Sequence, residues 1–420
     1  MADANIHVLM LGPRRAGKSS VLSAMVRSLR MMEDRSGFRF EADQDTQAVM
    51  QRKLTDLEQL FMLHADEPDK PFSTMLGEKD GVLYSEFTGE AIQYTFDFYA
   101  LNKQNQRGGK VDHKVVFTDI PGEKMLSELM ERGSSVVDRF IRSNVIIVAV
   151  DAPALMEGRI RPDEGVGEFH TFVNIPDTIY NVVSVSDATM RENLDEGRKI
   201  VPKLVLFVPL KCEKYYHSGE MELLKERVMN GYRNTFGFMA PRDEYTVAIT
   251  PILTLGDIVF DQYETEINAK GRKVVKRYGP QDARGIARMP NALYRLRAPE
   301  CNVINPMFCE QPLLYLEGYI LGVDSQLKKA QKKAKQEKRN ETFGGKMVGA
   351  TKHVFFFLMF GLYYLMFKGI EALFKDETLM NSIKGMIGEI KTSGDGYELV
   401  QDNLGIMSLK ATYSRATPDS

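Results

Sequence analysis

Apolar residues along this chain come in two rhythms. Nearly uninterrupted runs occur at residues 6–11 (IHVLML), 114–118 (KVVFT), 145–151 (VIIVAVD), 204–210 (LVLFVPL) and 245–249 (YTVAI). Short apolar runs of this kind predict strands covered on both faces, as in a parallel sheet. Residues 92–100 (IQYTFDFYA) alternate instead, which predicts a strand with one wet face. Between the strands, apolar residues recur at helical spacing. Val21, Leu22, Met25, Val26 and Leu29 predict a helix over 20–32, and Val49, Leu54, Leu57, Leu60 and Phe61 one within 43–64. Met221, Leu224, Val228 and Tyr232 predict a helix over 220–236, with others around 177–185, 189–198 and 305–322. Strands and helices in this order predict an α/β fold, a mostly parallel sheet with helices on both faces. Its ligand should lie outside the carboxyl ends of the strands. Residues 1–325 read as one domain with insertions at about 33–90, 152–202 and 262–300. The last insertion is irregular and basic (Lys270, Arg272, Lys273, Lys276, Arg277).

The pattern changes beyond residue 325. Residues 326–346 form a basic linker or helix carrying Lys328, Lys329, Lys332, Lys333, Lys335, Lys338 and Arg339. Residues 354–367 (VFFFLMFGLYYLMF) contain no charge. As a helix that run covers about 21 Å, short of a hydrocarbon core of about 30 Å. The hydrophobic segment 347–374 reaches the length but takes in Lys352, His353, Lys368 and Glu371. It reads as a membrane-spanning or half-inserted extension, or else as a buried helix or oligomer contact. The adjacent lysines would attract anionic lipid and keep the first domain cytoplasmic, at the inner face of the membrane. Residues 375–420 read as a partly ordered tail.

Bulk composition narrows the chemistry. The formal net charge is −2 over 420 residues, so no global field draws the chain to nucleic acid, and none is expected as a specific partner. Cys212, Cys301 and Cys309 fit no metal-ligand spacing, and an odd, sparse count suits a reducing compartment. The first apolar run starts at Ile6 and leads straight into a glycine loop, so it does not read as a signal peptide.

That loop carries the sharpest signal. Gly12, Gly17, Lys18 and Ser19 fit G-x-x-x-x-G-K-[ST] between an apolar strand and a helix. The glycines let the backbone curl until successive N–H groups face inward around phosphate oxygens. Lys18 supplies a point charge for the β and γ phosphates, and Ser19 a hydroxyl for Mg²⁺. The fourth residue type in the scheme is an acid. Asp119 ends the strand at 114–118 and opens Asp119-Ile120-Pro121-Gly122, a D-x-x-G sequence. There an aspartate can hold Mg²⁺ and the glycine N–H can meet the γ-phosphate, although D-I-P-G is also a serviceable plain turn. Glu123 follows at a position where it could orient water, or simply favour a helix's first turn. The strand at 204–210 leads into Lys211-Cys212-Glu213, a lysine–acid loop.

The order of P-loop, D-x-x-G and lysine–acid loop resembles the Ras-like and translation-factor-like P-loop GTPases. GPRRAGKSS, DIPGE, PLKCEKY and TPILTLGD look like a bacterial subgroup of double-GTPase type proteins, over roughly residues 5–322. The resemblance implies a P-loop NTPase sheet, GTP and GDP as ligands, Mg²⁺ as cofactor, GTP hydrolysis and a protein partner that reads a switch. It implies phosphate contacts from Gly12, Arg14, Arg15, Ala16, Gly17, Lys18, Ser19, Ser20 and Gly122, and Mg²⁺ on Ser19 and Asp119. Base contacts would come from Lys211 and Glu213. Where the class has N-K-x-D, this chain has Leu210, Lys211, Cys212 and Glu213: the lysine is kept, the acid is a methylene longer, and the asparagine is absent. Glu123 stands where Ras-like members carry a water-orienting glutamine. Arg14 or Arg15 could serve as an arginine finger in cis, or face solvent beside the phosphates. Thr74 and Thr88 are both candidates for the switch threonine.

Overall fold

The computed structural model describes residues 5–13, 16–32, 38–64, 70–73, 91–100, 111–127, 131–195, 202–242, 244–278, 289–290, 292–298, 305–313, 315–317, 319–320, 397–401 and 407–411. Five parallel strands make the centre of a nine-stranded sheet. They are Tyr245–Ile249, Lys203–Leu210, Val145–Asp151, Asn5–Leu11 and His113–Asp119, in that spatial order. The alternating strand Ile92–Ala100 pairs antiparallel with His113–Asp119, and Phe38–Ala42 pairs antiparallel outside it. At the other edge Met407–Ala411 pairs antiparallel with Tyr245–Ile249, and Tyr397–Gln401 completes the sheet. The fold is therefore the α/β architecture that the apolar runs predict, a mostly parallel sheet with helices on both faces.

Each central strand feeds two cores, because successive side chains point to opposite faces. Ile6, Val8 and Met10 pack with Val21, Leu22 and Met25 of helix Lys18–Met32, with Met50 of helix Gln44–His64, and with Leu313, Leu316 and Ile320. Leu9 and Leu11 face the other way, toward Val136 and Phe140, Ile179 and Val183, and Leu224 and Phe236. That second layer is built from helices Ser135–Arg142, Pro176–Asp195, Met221–Gly231 and Arg233–Met239. Two buried polar knots tie it to the sheet. Lys203, 1% exposed, donates to the carbonyls of Phe140, Ile141 and Ser143 at 3.0, 2.9 and 2.6 Å. Asp187 accepts from Arg191 Nε at 2.8 Å, Arg242 Nε at 3.2 Å and the Tyr245 hydroxyl at 3.2 Å.

Several elements differ from the sequence reading. The helices expected at 177–185 and 189–198 are one, Pro176–Asp195. The apolar pattern breaks at Ser186 and Asp187, but both are buried in the helix packing. The single helix expected over 220–236 is two, with Tyr232 as the joint at φ −115° and ψ 21°. The first helix starts at Lys18, inside the motif, rather than at residue 20. Part of the basic insertion is ordered as a small antiparallel sheet, in which Ile258–Tyr263 pairs with Ala292–Leu296 and that strand with Phe72–Ser73. Segment 347–374 and linker 326–346 lie outside the described residues, as do Thr74 and Thr88. Among the described residues no helix is long and apolar enough to cross a membrane.

Candidate functional site

The glycine loop leaves the sheet at Leu11 and returns as a helix at Lys18. Gly12 has φ +144° and Gly17 φ +102°, backbone that side chains with a Cβ rarely adopt. Gly12 has a steric reason too: a Cβ there would stand 2.8 Å from the backbone oxygen of Ala149 on the neighbouring strand. At Gly17 a Cβ would meet only Leu210 Cδ1, at 3.7 Å, so the loop rests on the strand that ends in the lysine–acid loop. Ala16 is buried and Ser20 half-buried. Arg14 and Arg15 lie outside the described residues. Ser19 is the second residue of the helix.

Lys18 is 7% exposed, and its ammonium donates to the carbonyls of Gly12 and Pro13, each at 3.2 Å. It stands 3.9 Å from Asp119 Oδ1. The two meet because Asn5–Leu11 and His113–Asp119 are hydrogen-bonded parallel neighbours, in register from Asn5 opposite Lys114 to Met10 opposite Asp119. No acidic residue occupies the first turn of helix Lys18–Met32, so the positive end of its dipole is not offset there. Gly122 is buried and opens the short helix Gly122–Ser127, which contains Glu123. The structure thus brings together a lysine, a carboxylate, a serine at a helix start and two glycines of positive φ at the carboxyl end of the sheet.

Magnesium fits this donor set. It prefers hard oxygen ligands in small number, keeping water and phosphate as the rest. A serine hydroxyl and one carboxylate are of that kind. Among the described residues no group of three or more His, Cys, Asp or Glu side chains could hold a metal alone. An ion at this place would depend on Ser19, Asp119 and a phosphate ligand together.

The lysine–acid loop follows two strands away. Lys211 has φ +59°, left-handed for a residue with a Cβ, and its ammonium donates to Asp151 Oδ2 at 2.6 Å. Burial opposes its charge, but the Asp151 carboxylate and the Tyr294 hydroxyl together outweigh burial and hold the lysine above its usual range. Glu213, 1% exposed, accepts from the Leu255 N–H at 2.9 Å. Burial pushes its carboxyl up to about 7, against the pull of the Leu255 and Gly256 N–H groups. The loop at 250–257, TPILTLGD, is thus pinned to the start of helix Glu213–His217.

Sequence reasoning missed three residues that build this side of the site. Asp151 caps helix Ala152–Met156, accepting from the Ala154 N–H at 3.0 Å as well as from Lys211. Asn174 clasps the Asp151 backbone, its Oδ1 accepting the N–H at 2.7 Å and its Nδ2 donating to the C=O at 3.0 Å. His170, 1% exposed, lies 3.1 Å from Asn174 Nδ2 through Nδ1 and 3.0 Å from the Gly231 carbonyl through Nε2. The acid closing VIIVAVD was the only signal in the sequence; Asn174 and His170 carry no local pattern.

Those contacts require a neutral imidazole with its proton on Nε2, because Nδ1 faces a donor. Burial lowers the pKa of His170 from 6.5 to about 4. Between those values the unfolded chain binds more protons than the native one, so this group makes stability fall as pH drops from 6.5 toward 4. The full effect is about 3 kcal/mol. Glu213 acts in the opposite sense, since its native pKa of about 7 exceeds the unfolded 4.5 and its contribution is lost as pH rises through that window. The two overlap, so the His170 effect is best read as a difference. Urea unfolding of the wild type and His170→Gln should show the variant's deficit shrinking by about 3 kcal/mol between pH 7 and pH 4. A deficit independent of pH would contradict it.

No protein-family model matches the chain, and no curated protein does. Among solved structures it is similar to the GTPase-like domain of Ski7 from S. cerevisiae, bound to GTP, at 14% identity and a TM-score of 0.30, over 61% of this chain and 44% of that one. The same domain bound to GDP and inorganic phosphate gives 13% identity and a TM-score of 0.29, over 67% and 47%. The chain spans less than half the length of each of these structures.

Proposed function

We propose that the chain is a magnesium-dependent guanine-nucleotide-binding protein that hydrolyses GTP to GDP and phosphate and serves as a switch for a protein partner. The observation that carries this reading is the meeting of Lys18 and Asp119, 3.9 Å apart, over a loop whose glycines hold φ values of +144° and +102°. A loop that merely joined a strand to a helix would have no need of a buried ammonium and a buried carboxylate at its mouth. In this reading the loop amides and the start of helix Lys18–Met32 grip the β and γ phosphates, and Lys18 neutralises their charge. Magnesium, held by Ser19 and Asp119, would supply the Lewis-acid charge that offsets the triphosphate. Gly122 would present its N–H to the γ-phosphate and release it after hydrolysis, which is the change a partner would read. Glu123 or Arg14 would assist the hydrolytic step, and Lys211 and Glu213 would face the base.

One observation favours a second reading, in which the chain binds nucleoside triphosphates without regard to the base and turns over little. The Glu213 carboxylate accepts from the Leu255 N–H, so it is engaged by a neighbouring loop rather than turned to a base in this structure. Selectivity of 10⁴ or more requires side chains that hydrogen-bond the base directly. Calorimetry with GTP, GDP and ATP, with and without Mg²⁺, together with a phosphate-release assay, separates the two. Magnesium-dependent, GTP-selective binding lost in Lys18→Ala supports the first. Equal affinity for ATP would reject guanine recognition, and no affinity for any nucleotide would reject both. Attachment of residues 326–374 to an anionic membrane surface belongs to the same proposal. Protein truncated after residue 322 should no longer float with anionic vesicles; equal flotation would refute it.

A further inference from the structure

Lys211 is held more elaborately than a surface lysine needs to be. Its ammonium takes Asp151 at 2.6 Å and also bonds the Tyr294 side chain. Asp151 lies opposite Leu210 in the strand register, one residue before Lys211, so the two charges meet at the carboxyl ends of adjacent strands. Its second carboxylate oxygen is engaged by the helix that follows, through Ala154. Asn174 fixes the backbone of Asp151 from both sides, and its remaining donor hydrogen goes to His170. His170 in turn donates to the Gly231 carbonyl, and a Cβ at Gly231 would stand 2.5 Å from the imidazole Nε2 and displace the ring. Each Asn174 and His170 donor or acceptor thus serves one contact, and the chain of contacts ends at one ammonium group.

The place of that ammonium matters. Leu210, the residue before Lys211, lies beside the phosphate loop, where a Cβ built on Gly17 would stand 3.7 Å from its Cδ1. The Lys211 and Asp151 side chains keep 17% and 11% of their surface exposed, so the pair sits at a rim rather than in the sealed core. A plain structural ion pair would explain the short distance. It would not explain a left-handed backbone at the lysine, nor an asparagine devoted to the carboxylate's main chain. Groups that must be held to within a fraction of an ångström for binding are supported in this way.

We propose that Asp151, backed by Asn174, is a positioning residue that fixes Lys211 for contact with the base or ribose of a bound nucleotide. This rests on the reading that nucleotide binds at the Gly12–Lys18 loop, and it adds what fixes the base side. Asp151 makes no contact with the ligand here; it acts through Lys211. The affinity gained by a whole nucleotide over a bare polyphosphate should therefore depend on it, and the affinity for the polyphosphate should not.

Calorimetry with Mg·GTP and with Mg·tripolyphosphate on the full chain tests this. Asp151→Asn keeps the size and the helix cap but removes the charge. It should weaken GTP at least tenfold and leave tripolyphosphate within twofold of wild type. Lys211→Met, which leaves the cap untouched, should show the same selective loss, and the double variant should be no weaker than Lys211→Met alone. Equal weakening of both ligands would mark the pair as structural only and overturn the inference, as would unchanged GTP affinity. If the wild type binds tripolyphosphate but gains nothing from the nucleoside, the inference fails while the phosphate loop stands. If it binds neither, both fall.

Discussion

Gly12→Ala should lower the affinity for Mg·GTP by more than a hundredfold and destabilise the protein by about 3 kcal/mol. Two causes act together. The backbone at φ +144° is strained for any residue with a Cβ. The new methyl would also press to 2.8 Å from the Ala149 carbonyl and 3.0 Å from the Ala149 Cβ. Neither neighbour can yield easily, since Ala149 lies inside the fully buried central strand Val145–Asp151, paired with Val208 of the next strand. The loop must move instead, carrying away the Gly12 carbonyl that helps orient Lys18. Urea unfolding reads the stability and calorimetry the affinity. Wild-type affinity in this variant would mean that nucleotide is not held by this loop.

Lys203→Met should cost about 3 kcal/mol of stability while leaving nucleotide affinity near wild type. Methionine keeps the length of the side chain but deletes the donors to Ile141, Ser143 and Phe140, of which Phe140 retains the Ser143 N–H at 3.2 Å. Those carbonyls end helix Ser135–Arg142, where the negative pole of its dipole gathers. With the lysine 1% exposed, no water would replace it without rearrangement. Each buried carbonyl left unmet costs about 1–3 kcal/mol, and neighbouring losses do not simply add. A deficit below about 1 kcal/mol would show that the helix end finds other donors. Arg at this position should recover only part of the loss, because a planar guanidinium cannot point its donors at three converging carbonyls as an ammonium does.

The central sheet was legible because its strands are hydrophobic on both faces, and few other structures ask for VIIVAVD or LVLFVPL. The curled glycine loop was legible because glycine is needed at fixed positions along one short stretch, at φ +144° and +102°. Other features depend on partners distant in sequence. Lys211 was visible as a lysine after a strand, but its partner Asp151 is 60 residues away and its supports lie in an insertion. The joint at Tyr232 could not be seen in an unbroken helical pattern, since it accompanies His170 packed against Gly231. The small sheet of Ile258–Tyr263 and Ala292–Leu296 hides behind a polar, basic stretch that reads as loop, because its order comes from Phe72, Phe260 and Tyr294 packing together. Glu213 showed its residue type but not its orientation: a carboxylate set to meet a base and one that clasps a neighbouring loop look alike in a sequence.

The final strand pair has a topographical consequence. Leu409 lies opposite Val247 on the same sheet that Ile320 helps to cover. Whatever route the polypeptide takes between those two points, it must come back to the compartment it left.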